Sequence, residues 1–581
     1  MIPLSAWPVL LAGLSAAEPY KGVFDVSPPL IPQLGVAAGS SLFPMAECGA
    51  AGFKLEEATI EQMQDSLKAG KLTSVELVSC YMLRTFQTQP YINSLMQLNP
   101  NVLADAAARD EERRSADKDK DLGPLHGIPF TVKDNIAVGG NLETTAGSWA
   151  LLGSVHEEAF VVRQLLDKGA VLFGKAAMSE WADLRSTNYS EGYSARGGQC
   201  RSAYNFTVNP GGSSSGSGVG VAANAIAFSL GTETDGSVLN PAMRNSIVGF
   251  KPTVGLTSRG GVIPESEHQD SVGTFGRTVR DAIVAFDAIY GVDERDNYTL
   301  AQKEANIPQD GYMQFLKSKS ELANMTFGLP WKSFWTFADE ESQGVLLEMV
   351  KLIEDAGATV VNETEITNHE AIVSPNGWDW DWGRKRGFPN QSEYTVVIVD
   401  SYININAYLS ELKNTKISKL DHVIKFNEDN AGSEGGFPWP DGHPAFFSGQ
   451  DGLLASRETK GERNETYWQA LEFCQTSTRR GIDDALKNRC EKRLDGLLVP
   501  LEPGQSYQIA AQAGYPMITI PAGIHAESGM GFGLGIMQTA WGEAELIRAG
   551  SAIEDLMKGT KHERQQPQWR GYLERNMPVP L

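Results

Sequence analysis

The sequence has no uninterrupted apolar run of the roughly 18 to 20 residues that a helix needs to cross a bilayer, which excludes an integral membrane protein. Basic residues are scarce. Fifty Lys and Arg stand against 72 Asp and Glu in 581 residues, a net charge of -22. That charge repels phosphate backbones, so nucleic acid is excluded as a partner. The five cysteines (Cys48, Cys80, Cys200, Cys474, Cys490) form no CxxC pair, and their odd number leaves at least one without an internal partner. Cys474 and Cys490 are spaced so that they could bridge, but spacing does not require it. Metal and phosphate motifs are missing as well. His156-Glu157-Glu158 opens like HExxH, but Phe160 occupies the second histidine position. No Lys-Ser/Thr follows the glycine-rich run near residue 215, so it is not a phosphate loop. None of the eight histidines has a serine partner recognisable by spacing. No metal and no cofactor is called for.

What is present is a globular composition, 41% apolar and 21% charged. Trp7 to Leu14 is apolar and Ser15-Ala16-Ala17 is small, which predicts a signal peptide over residues 1–17 and a secreted protein, or one held in the secretory pathway. Seven Asn-X-Ser/Thr sequons, at Asn188, Asn205, Asn297, Asn324, Asn362, Asn390 and Asn464, agree with export. Residues 18–53, rich in Pro, Gly and Ala, read as an extended lead-in. Two capping boxes, Thr59 with Gln62 and Thr73 with Glu76, announce two helices. Short buried strands then alternate with amphipathic helices. Strands are predicted at 128–132, 170–173, 225–230, 497–500, 517–520 and 532–537, with a helix at 157–168. The fold class predicted is α/β, a large mixed, mostly parallel β-sheet covered by helices. Residues 54–581 are expected to form one domain with a variable insertion at about 370–470.

Three segments carry chemistry. Residues 209–241 run from a Gly-Ser stretch into a helix, then through an apolar strand into Gly231-Thr232-Glu233-Thr234-Asp235-Gly236-Ser237. A serine at a strand end beside glycine has backbone N-H groups around it that can hold an oxyanion. Gly212 to Gly216 formally matches GxSxG with Ser214 as nucleophile, but no buried strand precedes it, as that elbow requires. The third segment, Gly127 to Asn135, ends an apolar strand on Lys133, a residue costly to bury with its charge.

These residues resemble the amidase signature family of serine hydrolases from Leu55 to the C-terminus. The resemblance rests on GPLHGIPFTVKDN around Lys133, GKAAMSEWADLRS at 174–186, the 209–241 block, VGFKPTVGLTSRGGVIP at 248–264, QDSVGTFGRTVRDA at 269–282 and AGYPMITIPAG at 513–523. It implies a Ser-Ser-Lys triad of Lys133, Ser213 and Ser237, with a cis peptide bond before Ser213. The backbone N-H groups of Thr234, Asp235, Gly236 and Ser237 would form the oxyanion hole. The implied reaction is hydrolysis of a small or medium-sized carboxylic amide through an acyl-enzyme. Two positions depart from the family's commonest pattern: Asp235 replaces a glycine, and Leu239 replaces an arginine. An aspartate beside an oxyanion is tolerable only if its side chain points away. The aromatic-acidic stretch Asn376 to Gly383 is a candidate lining for the acyl pocket, and Gln269-Asp270 reads as core hydrogen bonding. A transamidation subunit like the A subunit of glutamyl-tRNA amidotransferase, and a non-catalytic binding relative, are the alternatives.

Overall fold

The structure, a computed structural model, describes residues 43–45, 47–117, 120–487, 493–571 and 579. The expected signal peptide, most of the lead-in and Cys490 lie outside the described residues. Cys48 is bonded to Cys80, and Cys474, a bridging candidate from its spacing, is a buried free thiol.

Both capping boxes form. Helix α1 (Ile60–Lys68) and helix α2 (Ser74–Ile92) each begin on a threonine whose hydroxyl accepts the N-H three residues on, while that residue's side chain accepts the threonine N-H.

Eleven strands build the central sheet: β1 Leu95–Leu98, β2 Pro129–Lys133, β3 Val171–Ala176, β4 Phe228–Glu233, β5 Val248–Lys251, β6 Ser271–Gly276, β7 Thr326–Leu329, β8 Thr359–Asn362, β9 Gly496–Pro500, β10 Met517–Ile524 and β11 Gly531–Met537. Their spatial order is β1-β3-β2-β4-β6-β5-β10-β11-β9-β7-β8. The expected α/β class with a mixed sheet is what forms. Its parallel pairings are β3-β2-β4 on one side and β9-β7-β8 on the other. Between and beside them run antiparallel ladders, β1 with β3, then β4-β6-β5-β10-β11-β9. Every residue of β2, β3, β4, β5, β6, β9 and β11 is buried, because helices cover the faces of the sheet. Val161, Val162 and Leu165 pack with Phe130 and Phe228 in one half. Leu346, Met349 and Ile353 pack with Phe327 and Leu534 in the other.

Between β8 and β9 the described chain adds no strand to this sheet. It is helical there, including Glu393–Glu411, Leu420–Asp429, Asp451–Thr459 and Glu465–Ala485.

Candidate active site

The register of two parallel strands sets the geometry. Phe130 pairs with Phe228 and Val132 with Leu230, and the two phenyl rings stack at 5.5 Å. Strands β2 and β4 therefore end on the same edge of the sheet, β2 with Lys133 and β4 with Glu233. Carboxyl ends of parallel strands are where open α/β sheets place their ligands. Helix α3 (Ser215–Ala222) starts beside them, preceded by Ser213, and helix α4 (Leu239–Arg244) leaves the loop that holds Ser237.

A continuous chain of hydrogen bonds joins the three residues. Lys133 Nζ donates to Ser213 Oγ at 2.7 Å, and Ser213 Oγ donates to Ser237 Oγ at 2.9 Å. Thr232 fixes the amine from the other side, accepting from Nζ at Oγ1 (2.9 Å) and at its carbonyl (3.2 Å). Asn135 Nδ2 donates to the same Oγ1 at 2.9 Å. Asp134 ties down the neighbouring loop, accepting from Thr145 N, Thr145 Oγ1 and Gly147 N. The Lys-Asp-Asn run thus aims one side chain at Ser213 and uses the next two as supports.

Lys133 and Ser213 are fully buried, and Ser237 retains 5% exposure. Burial drops the Lys133 ammonium to about 8, although the Asp183, Glu265, Glu191 and Asp270 carboxyls pull the other way. Desolvation wins by roughly 3 kcal/mol. An amine with that pKa is substantially neutral in mildly alkaline solution and can accept a proton.

The peptide bond between Gly212 and Ser213 is cis. A Cβ at 212 would meet the Glu191 carboxyl and Ser179 Oγ, so any larger residue there would have to displace both side chains. Ser214, the GxSxG alternative, is fully buried and spent on Thr232, donating to its carbonyl and accepting its N-H.

The loop after β4 is wound around the Glu233 carboxylate. Oε2 accepts from Val238 N at 2.7 Å and Leu239 N at 3.0 Å, and the carboxyl also faces the Gly236 N-H. Thr234 Oγ1 donates to Asp270 Oδ1 at 2.7 Å. Gly236 has φ +84°, and a Cβ there would strike the Tyr507 ring at 2.6 Å. Among the described residues no protein acceptor engages the N-H groups of Thr234, Asp235 or Ser237.

Residues 76–415 match the family model described as Amidase. The chain belongs to the amidase family. It is 53% identical over 548 residues to a Schizosaccharomyces pombe protein named "Putative amidase", covering 93% of this chain and 91% of that one. An Arabidopsis thaliana protein named "Probable amidase" is 38% identical over 505 residues, covering 86% and 90%. Among solved structures, the peptide amidase of Stenotrophomonas maltophilia superposes with a TM-score of 0.75 at 34% identity, over 89% of this chain and 99% of that one.

In this amidase the fold brings Lys133, Ser213, Ser237 and the 234–237 loop together at one sheet edge. Gln269 and Asp270, read as core hydrogen bonders, support that loop: Asp270 holds Thr234, and Gln269 Nε2 donates to Glu393 Oε1 at 2.7 Å. Trp378, from the aromatic-acidic stretch, reaches it directly and donates its indole N-H to Asp235 Oδ2 at 2.6 Å. Sequence reasoning missed Thr232, Glu233, Glu393, Gln508 and Gln512. Thr232 and Glu233 lie inside the recognised motif, so their position was a usable signal. Glu393, Gln508 and Gln512 come from more than 110 residues away in sequence, and nothing in their local pattern sets them apart. Buried lysine alone is not a signature either. Lys175 is equally buried and also lowered to about 8 by desolvation, yet it serves structure, donating to the Ile136 carbonyl and to Thr144 Oγ1.

Proposed function

We propose that this amidase hydrolyses a carboxylic amide through a Ser-Ser-Lys triad. Ser237 Oγ attacks the amide carbonyl, and Ser213 passes its proton to neutral Lys133. The N-H groups of Thr234, Asp235 and Ser237 receive the developing oxyanion, while the Gly236 N-H, the fourth expected donor, faces the Glu233 carboxyl. The same relay returns the proton to the departing nitrogen, and water then attacks the acyl-Ser237 ester, activated along the same path. The carrying observation is the chain Nζ to Oγ to Oγ at 2.7 and 2.9 Å, ending on the one residue of the three that is not fully buried. Likeness over nearly the whole length of a peptide amidase makes peptide amides the first substrate class to assay, beside simple carboxamides and esters. Release of ammonia from a peptide amide by the purified protein is the expected result. Failure on every member of such a panel would refute the reading.

Export belongs to the same proposal. The Cys48–Cys80 disulfide suits an oxidising compartment, and Asn297, Asn324, Asn362 and Asn464 are exposed sequons that can carry a glycan without displacing packed structure. Asn205 is the poorest acceptor, because its Nδ2 is engaged with the Ser528 carbonyl at 2.6 Å. Expressed in a eukaryotic secretory host, the mature chain is expected to begin near Glu18 and to lose mass on glycosidase treatment, with glycans mapping to the four exposed sites. An intact chain starting at Met1 with no mass lost would overturn the export reading.

A further inference from the structure

The Asp235 side chain enters a buried polar cluster. Its Oδ2 accepts the Trp378 indole N-H at 2.6 Å. Its Oδ1 is buried and receives no donor, and the Asp235 carboxyl lies against the carboxyl of Glu393. Glu393 opens helix α5 (Glu393–Glu411) and is saturated with amide donors. Gln269 Nε2 donates to Oε1 at 2.7 Å, while Gln508 Nε2 and Gln512 Nε2, both on helix α6 (Gln505–Ala513), donate to Oε2 at 2.9 and 3.0 Å. Three amide donors on two oxygens are the environment of a carboxylate anion. Two carboxyl groups facing each other in a buried site cannot both be charged, so one proton lies between them. Glu393 has its donors already. The proton therefore belongs to Asp235.

We propose that Asp235 is a positioning residue for the hydrolysis, a neutral acid whose O-H donates to the Glu393 carboxylate, pinning the oxyanion loop to helix α5 and keeping a negative charge off it. The inference rests on the triad reading above and adds to it a group that touches no reacting atom. Burial, then repulsion from Glu393 and from Glu233 at the end of β4, raises the Asp235 carboxyl well above its ordinary range against the pull of the Trp378 N-H. The other ionisable groups around the cluster are Tyr507 on α6 and Lys251 on β5, which both sense Asp235, and Cys474, which senses Glu393. Lys251 senses Glu233 more strongly than Asp235, and among the described residues no cation pairs with Asp235 or Glu393. When the pair loses its proton at alkaline pH, the bond to Glu393 breaks and a charge appears beside the developing oxyanion.

The test is the pH dependence of kcat and KM for peptide-amide turnover, with the fold monitored by circular dichroism at each pH. Wild-type kcat is expected to fall again at the alkaline end. Asp235→Asn can still donate to Glu393 and accept from Trp378. Its kcat is expected to exceed that of Asp235→Ala at least tenfold, with KM changed by less than about threefold in both, and its alkaline fall is expected to be absent. Glu393→Gln removes the repelling charge and should move the fall to lower pH. Equal kcat for the Asn and Ala variants, an alkaline fall that persists in Asp235→Asn, or one left in place in Glu393→Gln would each overturn the proposal. If Asp235→Ala does not fold, the other two variants decide. Ser237→Ala tests the triad reading separately, because it removes turnover without altering the carboxyl pair.

Discussion

Ser237→Ala is expected to lose amide turnover by a factor on the order of 10⁴ or more while the protein stays folded. The size follows from the role, since removing the nucleophile of a relay leaves only what oxyanion binding and substrate positioning supply. The small effect on stability follows from the surroundings. Ser237 Oγ accepts one hydrogen bond, from Ser213, and belongs to the least buried residue of the three. Losing that bond costs about 1 kcal/mol, a shift of a few degrees at most in a chain of this length. A fluorophosphonate should form its phosphonyl ester on Ser237 with loss of fluoride, and peptide mass mapping locates the adduct. Ser214→Ala is the matching control, because that hydroxyl is turned into the Thr232 backbone and faces no substrate. More than a tenth of wild-type activity in Ser237→Ala, or an adduct on any other serine, would remove Ser237 as the nucleophile.

The parts of this site that were legible in the sequence are those where local chemistry and local structure coincide. Lys133 ends a buried strand, Ser237 follows one, and Gly-Ser runs do not usually open directly onto a buried helix, so each segment was unusual by itself. The six predicted strands all form with ends displaced by at most about four residues. Strands β1, β5, β6, β7 and β8 were missed. Of these, β1 and β8 are only partly buried edge strands, and β5 and β6 are broken up by Gly249, Gly273 and Gly276, which dilute the apolar run that marks a strand. The supports of the site were hidden for a different reason. Asp235 looked hazardous because its sequence position gives no direction. It becomes intelligible once Trp378, Glu393 and the three glutamines arrive from four separate segments. Helical periodicity places such residues on a buried face, but it does not say which buried polar group they meet.

Amide turnover is expected to rise with pH through about 8, the region where buried Lys133 gives up its proton. The sign is fixed by the mechanism. Only the free amine can accept from Ser213, and the folded-state pKa is depressed, so the active form grows as pH climbs from 7 toward 9. An imidazole base would already have levelled off above about 6.5. His268 and His443 are themselves depressed by burial, so either as base would saturate still earlier, whereas His525, held up at about 9 against the desolvation of burial by Glu502 and Glu341, spends both ring nitrogens on those two carboxylates rather than on Ser213 or Ser237. Lys133→Ala should lower kcat by several orders of magnitude and flatten the rise, since Ser213 then has no acceptor. Lys133→Arg should rescue nothing, because a guanidinium stays charged at every accessible pH. Lys175→Met is the informative control. Lys175 matches Lys133 in burial and pKa but lies outside the relay, so its loss should act on stability and leave the ascending limb in place. A limb that survives Lys133→Ala, or that vanishes with a single histidine in a folded variant, would transfer the base from the lysine to that histidine.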